Sequence, residues 1–162
     1  MRRRLATVIG PEAFRIPVMT YHSFCHRVIQ DNPEFFGMTD LEPLTELERV
    51  GIIRRLLESL PADHLLRLDI KSPYHYEAHL RHFFQWMKAE GKKPGDIRRA
   101  ADQWVRQLPE KEEFIYKKKT KDREKGSLKT ELIADETLKM ERLKAAADLF
   151  PKYNRLLLRH FR

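Results

Sequence analysis

Cysteine is almost absent: Cys25 is the only one in 162 residues. No disulfide can form within the chain, and the composition suits a reducing compartment. Glycine is scarce as well, and none of the 6 falls in a G-x-x-x-x-G-K-[ST] phosphate loop. With no recognisable acidic pair for Mg²⁺ either, the chain lacks the parts from which such ATPases are built. No apolar run approaches the ~20 residues that span a bilayer. The apolar stretch behind the basic opening Met1-Arg2-Arg3-Arg4 is too short for a signal peptide. Strands are nearly missing too, since only Ile16–Met19 has a strand-like pattern. The expectation is a soluble cytoplasmic protein with no membrane partner and a mainly α fold, a multi-helix body with at most one short strand near the N-terminus.

What is plentiful is charge. Charged residues make up 35% of the chain, and the formal net charge is +8. The excess is uneven: residues 31–70 sum to −5, residues 71–162 to +9, and residues 1–30 to +4. A basic protein favours a polyanionic partner, and this distribution predicts a positive face and a negative back. Lys/Arg-rich helices whose charges scatter on folding are the alternative.

Prolines at 33, 43, 61, 73, 94, 109 and 151 recur at helix-length intervals. Thr45 and Glu48 form a capping-box pair, followed by the stripe Val50, Ile53, Leu56, Leu57 and Leu60. Ser72-Pro73 predicts the next helix start and Gly91 its end, with Tyr76, Leu80, Phe83, Phe84 and Met87 on one face. After Pro94, Ile97, Ala100, Ala101, Trp104, Val105 and Leu108 repeat the pattern. A further helix is expected from about Leu128, presenting Ile133, Met140, Leu143, Ala147 and Phe150. Pro151 should kink or restart it into a last helix carrying Tyr153, Leu156, Leu157 and Phe161. Tyr116–Gly126 has six cations, two acids and no aliphatic side chain, which predicts an exposed, mobile basic loop.

The most informative segment is Ile16-Pro17-Val18-Met19-Thr20-Tyr21-His22-Ser23-Phe24-Cys25. It reads as a strand that breaks at Thr20, a good N-cap, into a helix with Phe24, Cys25, Val28 and Ile29 on its apolar face. A lone strand has no partner to pair with, so its sheet is expected to lie outside this sequence.

The Thr20-Tyr21-His22 cluster resembles a motif of the UvrD/Rep/PcrA group of superfamily 1A DNA helicases, in which a strand ends in Thr-Phe-His before a helix. Met1-Arg2-Arg3-Arg4-Leu5 is similar to the end of that family's "Ala-Ala-x-Glu-Met-x-x-Arg-Leu" helix. Gly91-Lys92-Lys93-Pro94-Gly95-Asp96-Ile97 is similar to its "Gly-x-x-Pro-x-x-Ile" helix junction. Tyr21 departs from the usual phenylalanine, keeping the ring and adding a hydroxyl. The resemblance implies that residues 1–30 are the tail of a nucleotide-binding 1A domain and residues 31–162 a helical 1B insertion. It implies a parent enzyme that uses ATP and Mg²⁺ to unwind DNA 3′ to 5′, while this part alone holds no cofactor and is inactive. Its partners would be single-stranded DNA, the duplex junction and the other helicase domains of the same polypeptide.

A single-strand track needs donors for phosphates and rings for bases. The resemblance carries that role to Thr20 and His22, with Tyr21 as a stacking ring or a packing residue under the strand end. Lys88, Lys92, Lys93, Arg98 and Arg99 surround the Gly91–Gly95 junction and are candidates for the duplex backbone. Lys88 has a second reading, as a cation complementing its helix C-terminus. Lys117, Lys118 and Lys119 in the basic loop complete the DNA-binding candidates. His22, Cys25 and His26, or His75, His79 and His82, have ligand-like spacing, but one thiol makes structural zinc a poor fit. Cys25 is expected to be a buried, inert thiol. The alternative from another class is a free-standing basic helical module that binds protein or RNA and has no motor.

Overall fold

The computed structural model describes residues 2–36, 44–68, 72–119 and 124–160. The chain divides into two compact units, Met1–Pro43 and Leu44–Arg162. This division lies after Pro43, and the sequence reading set its boundary at residue 30. The fold is mainly helical, with seven α-helices and no strand among the described residues.

In the first unit, α1 (Arg2–Ile9) passes through a 3₁₀ turn at Gly10–Phe14. Gly10 makes the change of direction at φ 68°, a region that disfavours any residue with a Cβ. Two further helices follow, α2 (Tyr21–Asp31) and α3 (Pro33–Phe36). The expected strand at Ile16–Met19 does not form as part of a sheet. Thr20 is extended, at φ −73° and ψ 161°, but no described segment pairs with residues 16–19. Extended backbone becomes a strand only when a neighbour supplies the ladder hydrogen bonds. Val18 instead lines a shallow pocket with Arg4, Leu5 and Val8 of α1. Ala13 is buried in this unit, while Val8, Phe14, Tyr21, Phe24 and Phe35 are exposed.

The second unit holds the main core. It contains α4 (Glu46–Glu58), α5 (Glu77–Ala89), α6 (Pro94–Gln107) and the long α7 (Thr130–His160). Thr45 starts α4 through the expected capping box: its hydroxyl accepts from the Glu48 amide at 3.3 Å and its own amide donates to the Glu48 carboxylate at 2.8 Å. Ile52, Ile53, Leu56 and Leu57 of α4 meet Leu80, Phe84 and Met87 of α5 and Ala146, Ala147, Leu149, Tyr153 and Leu157 of α7. Phe84 lies at the centre, fully buried, its ring 4.8 Å from Tyr153 and 5.6 Å from Phe150. A fully buried Phe in such contacts stabilises by ~1.5–3 kcal/mol relative to an exposed one. Ion pairs between elements lie around this core: Arg54 with Glu77, Arg81 with Glu46, Arg98 with Asp148 and Lys144 with Asp102.

Three expectations about the elements are corrected. The helix predicted from Ser72-Pro73 begins at Glu77, because residues 72–77 close as turns in which His75 N–H donates to Ser72 C=O and Glu77 N–H to Tyr74 C=O. Trp104 and Ala100 lie outside the buried stripe of α6, whose core contributions are Ile97 and Ala101. Pro151 does not divide the last helix: α7 continues through it, with Pro151 itself exposed. A proline ring on the outer side of a long helix costs one hydrogen bond, and the packing of Leu149, Tyr153 and Leu157 offsets that loss. Phe161 lies outside the described residues.

Candidate nucleic-acid interface

On the first unit, Thr20 does what its position predicts. Its Oγ1 accepts from the Ser23 amide at 3.2 Å and lies 3.0 Å from the Ser23 hydroxyl, while its carbonyl accepts from Phe24 N–H at 2.9 Å. The cap leaves the Tyr21 and His22 amides at the helix start, where no intrahelical acceptor exists. Both side chains stand in solvent: Tyr21 is 77% exposed and its ring meets His22 edge-on at 6.3 Å. Tyr21 therefore does not pack under the preceding segment. Hydrogen bonding with the Cys25 side chain, one turn on, holds its phenol above the usual 10.0. Cys25 is half-buried rather than buried, because α2 contains no buried residue and its apolar face, with Phe24 at 54%, is uncovered.

On the second unit, the Gly91–Gly95 junction is built by a recognisable helix stop. Lys92 N–H donates back to Met87 C=O at 2.9 Å and Gly91 N–H to Lys88 C=O at 3.3 Å, with Gly91 at φ 60°. This is the paired arrangement of a Schellman motif, which needs a left-handed residue at that point. Pro94 then opens α6, and the Lys93 amide donates to the Asp96 carboxylate at 2.9 Å. That bond, then Arg99, Lys92 and Lys93 nearby, holds the Asp96 carboxyl below its ordinary 3.8.

The five cations around this junction are not equivalent. Lys88 places its ammonium 5.2 Å from the centre of the Tyr153 ring, and desolvation there, with Arg49 close by, lowers its pKa. Arg98 is held by Asp148, its Nε donating at 2.9 Å, and Arg99 pairs with Asp96. Lys92 and Lys93 are exposed and form no ion pair among the described residues. They are the two cations of this group free to meet a phosphate.

The basic loop has a built base. Tyr116 N–H donates to Ser127 C=O at 2.9 Å, Gly126 N–H returns to Tyr116 C=O at 2.9 Å, and Ile115 bridges antiparallel to Leu128. The two ends of the loop are thus held together at its base. Lys117 pairs with Glu112 at 3.0 Å, while Lys118 and Lys119 are exposed. Residues 120–123 of the loop lie outside the described residues.

Among the described residues no group of three or more His, Cys, Asp and Glu side chains has the geometry to hold a metal ion. No described helix is long and apolar enough to cross a membrane. One feature escaped the sequence reading: a groove of about 390 Å³ between α5 and α7, lined in part by His79, Phe83, Lys139 and Arg142. The i, i+4 spacing of His75, His79 and Phe83 and the i, i+3 spacing of Lys139 and Arg142 carry its signal. Comparison with protein-family models, with curated proteins and with solved structures finds no match to this chain.

Proposed function

We propose that this chain is a DNA-binding helical subdomain of an ATP-dependent DNA helicase of the superfamily 1A type, contributing to the single-strand path and to duplex positioning. The observation that carries the reading is the start of α2. Thr20 caps the helix, and Tyr21 and His22 project from it into solvent. Hydroxyl, imidazole, unpaired amides and an exposed ring at one helix start are the donors and the stacking surface that a single strand requires. Lys92 and Lys93 at the Schellman turn supply a second, sequence-independent phosphate contact on the other unit. Neither surface performs chemistry. The motor and its nucleotide would be supplied by the rest of the helicase.

Fluorescence anisotropy with single-stranded and forked DNA, across a salt series, tests the proposal. Affinity should fall steeply with salt, because each phosphate contact releases counterions. Y21A should weaken single-strand binding by about tenfold, the worth of one stacked base. K92A/K93A should weaken all DNAs alike and reduce the salt slope by roughly 2, about 1 per lost contact. Affinity that does not respond to salt or to either variant overturns the assignment.

A further inference from the structure

The groove between α5 and α7 has a composition that the surfaces above do not explain. Its floor is aliphatic, formed by Leu66, Leu80, Leu143 and Ala146. Rings stand along its α5 side: Tyr76, His79 and Phe83, with the Tyr76 and His79 rings 6.2 Å apart at 70°. Lys139 and Arg142, one turn apart on α7, are its charged lining, and none of its lining residues is acidic. Lys139 is held by Glu136 at 2.9 Å. Arg142 forms no ion pair among the described residues, and its Nε is buried without a hydrogen-bond partner. A buried donor with no acceptor asks for one, and a guanidinium favours an anion with paired oxygens.

The rings continue past both ends of the groove. His79 stacks on His75 with centroids 6.3 Å apart and planes at 21°. Phe83 stacks on Trp86 at 6.1 Å and 14°, and Trp86 is 45% exposed. The turn before α5 and one face of that helix thus carry a row of rings from His75 to Trp86, beside cations on the neighbouring helix.

We propose that this groove receives an unpaired nucleotide of a single-stranded nucleic acid, its base among Tyr76, His79 and Phe83 and its phosphate at Arg142 and Lys139. The inference rests on the nucleic-acid reading but concerns a different surface. The volume suits one ligand group of that size. Every base offers a π-face, so rings flanked by cations bind a strand with little sequence preference. An acidic amphipathic peptide would also satisfy Arg142. The exposed His75, His79 and Trp86 favour stacking over the aliphatic continuation a peptide helix would use.

Methyl NMR on the full chain tests this with three probes: hexadeoxyadenylate, the same phosphate backbone without bases, and a short amphipathic Leu/Glu helix. Adenine ring currents should move the methyl signals of Leu80, Leu143 and Ala146, and the abasic strand should leave them in place. H79A and K139A, both at exposed positions, should each weaken the adenylate effect, H79A by about tenfold. Methyl signals that ignore adenylate, or that respond equally to the abasic strand, overturn the proposal. So does a response to the Leu/Glu helix alone, which would assign the groove to a protein partner. Binding at Thr20–His22 and at Lys92–Lys93 is read separately from amide signals of those residues, so loss of one surface is distinguishable from loss of the other.

Discussion

At the residue scale, the candidate side chains differ most in what already holds them. Arg98 and Arg99 meet the same expectation from sequence as Lys92 and Lys93, yet carboxylates occupy both arginines and neither lysine. Spacing along the chain reveals which cations cluster but not which carboxylate lies opposite, because Asp148 reaches Arg98 from fifty residues away in sequence. Replacing Thr20 by alanine should remove the cap and destabilise α2 by about 1 kcal/mol. Faster amide exchange across residues 23–26, with residues 76–87 unchanged, is the expected readout. Asp96 supplies a pH prediction. Its folded pKa is depressed, so its contribution to stability is complete above the ordinary value of 3.8 and is lost as pH falls through the lower folded value. D96N should therefore lower stability at pH 7 and narrow the difference from the parent chain in acid, as followed by thermal melts.

At the scale of elements, local signals were legible where hydrogen bonds are local. The capping box at Thr45, the Thr20 cap, the Gly91 stop and the Pro94 start all close within a few residues. They could be read directly. The misread elements depend on partners distant in sequence. Ser72-Pro73 has the chemistry of a helix start, but the Tyr74 hydroxyl bonds the Glu58 carboxylate of α4 at 2.5 Å and the segment stays in turns. Ile16–Met19 has strand composition but no described neighbour to pair with. Each side of the α5–α7 groove left a spacing signal in the sequence, but only the fold shows that two helices far apart in the chain lie side by side. Two substitutions test this level. G91A should destabilise the second unit by about 1–2 kcal/mol: its Cβ meets nothing within 4 Å, so the cost is the left-handed backbone alone. P151A should raise the melting temperature, because an alanine restores the amide that Ala147 C=O lacks in a helix that already continues through this position.

At the scale of the whole molecule, the two units are unequally self-sufficient. The second encloses fifteen buried hydrophobic side chains in one cluster, whereas α2 of the first has none. Hydrogen exchange should show residues 76–87 far better protected than residues 16–19 and α2. Equal protection would mean that the N-terminal unit is fully stabilised within this chain. A phosphate-release assay should find no ATP turnover with or without DNA, since the sequence contains no phosphate loop. DNA-stimulated turnover by the pure protein would overturn the reading of the chain as one part of a motor.

A single residue, Lys129, separates the base of the basic loop from the last helix. Leu128 closes the base of the loop, and two residues later Thr130 begins a helix of 31 residues, about 46 Å along its axis. α5 and α6, at 13 and 14 residues, are less than half as long. The far portion of α7 is packed in the core through Ala147, Tyr153 and Leu157, and its near end follows directly on the base of the basic loop. A shift of the loop's base at Leu128 therefore acts directly on the first turn of the helix that carries Ala147, Tyr153 and Leu157 into the core.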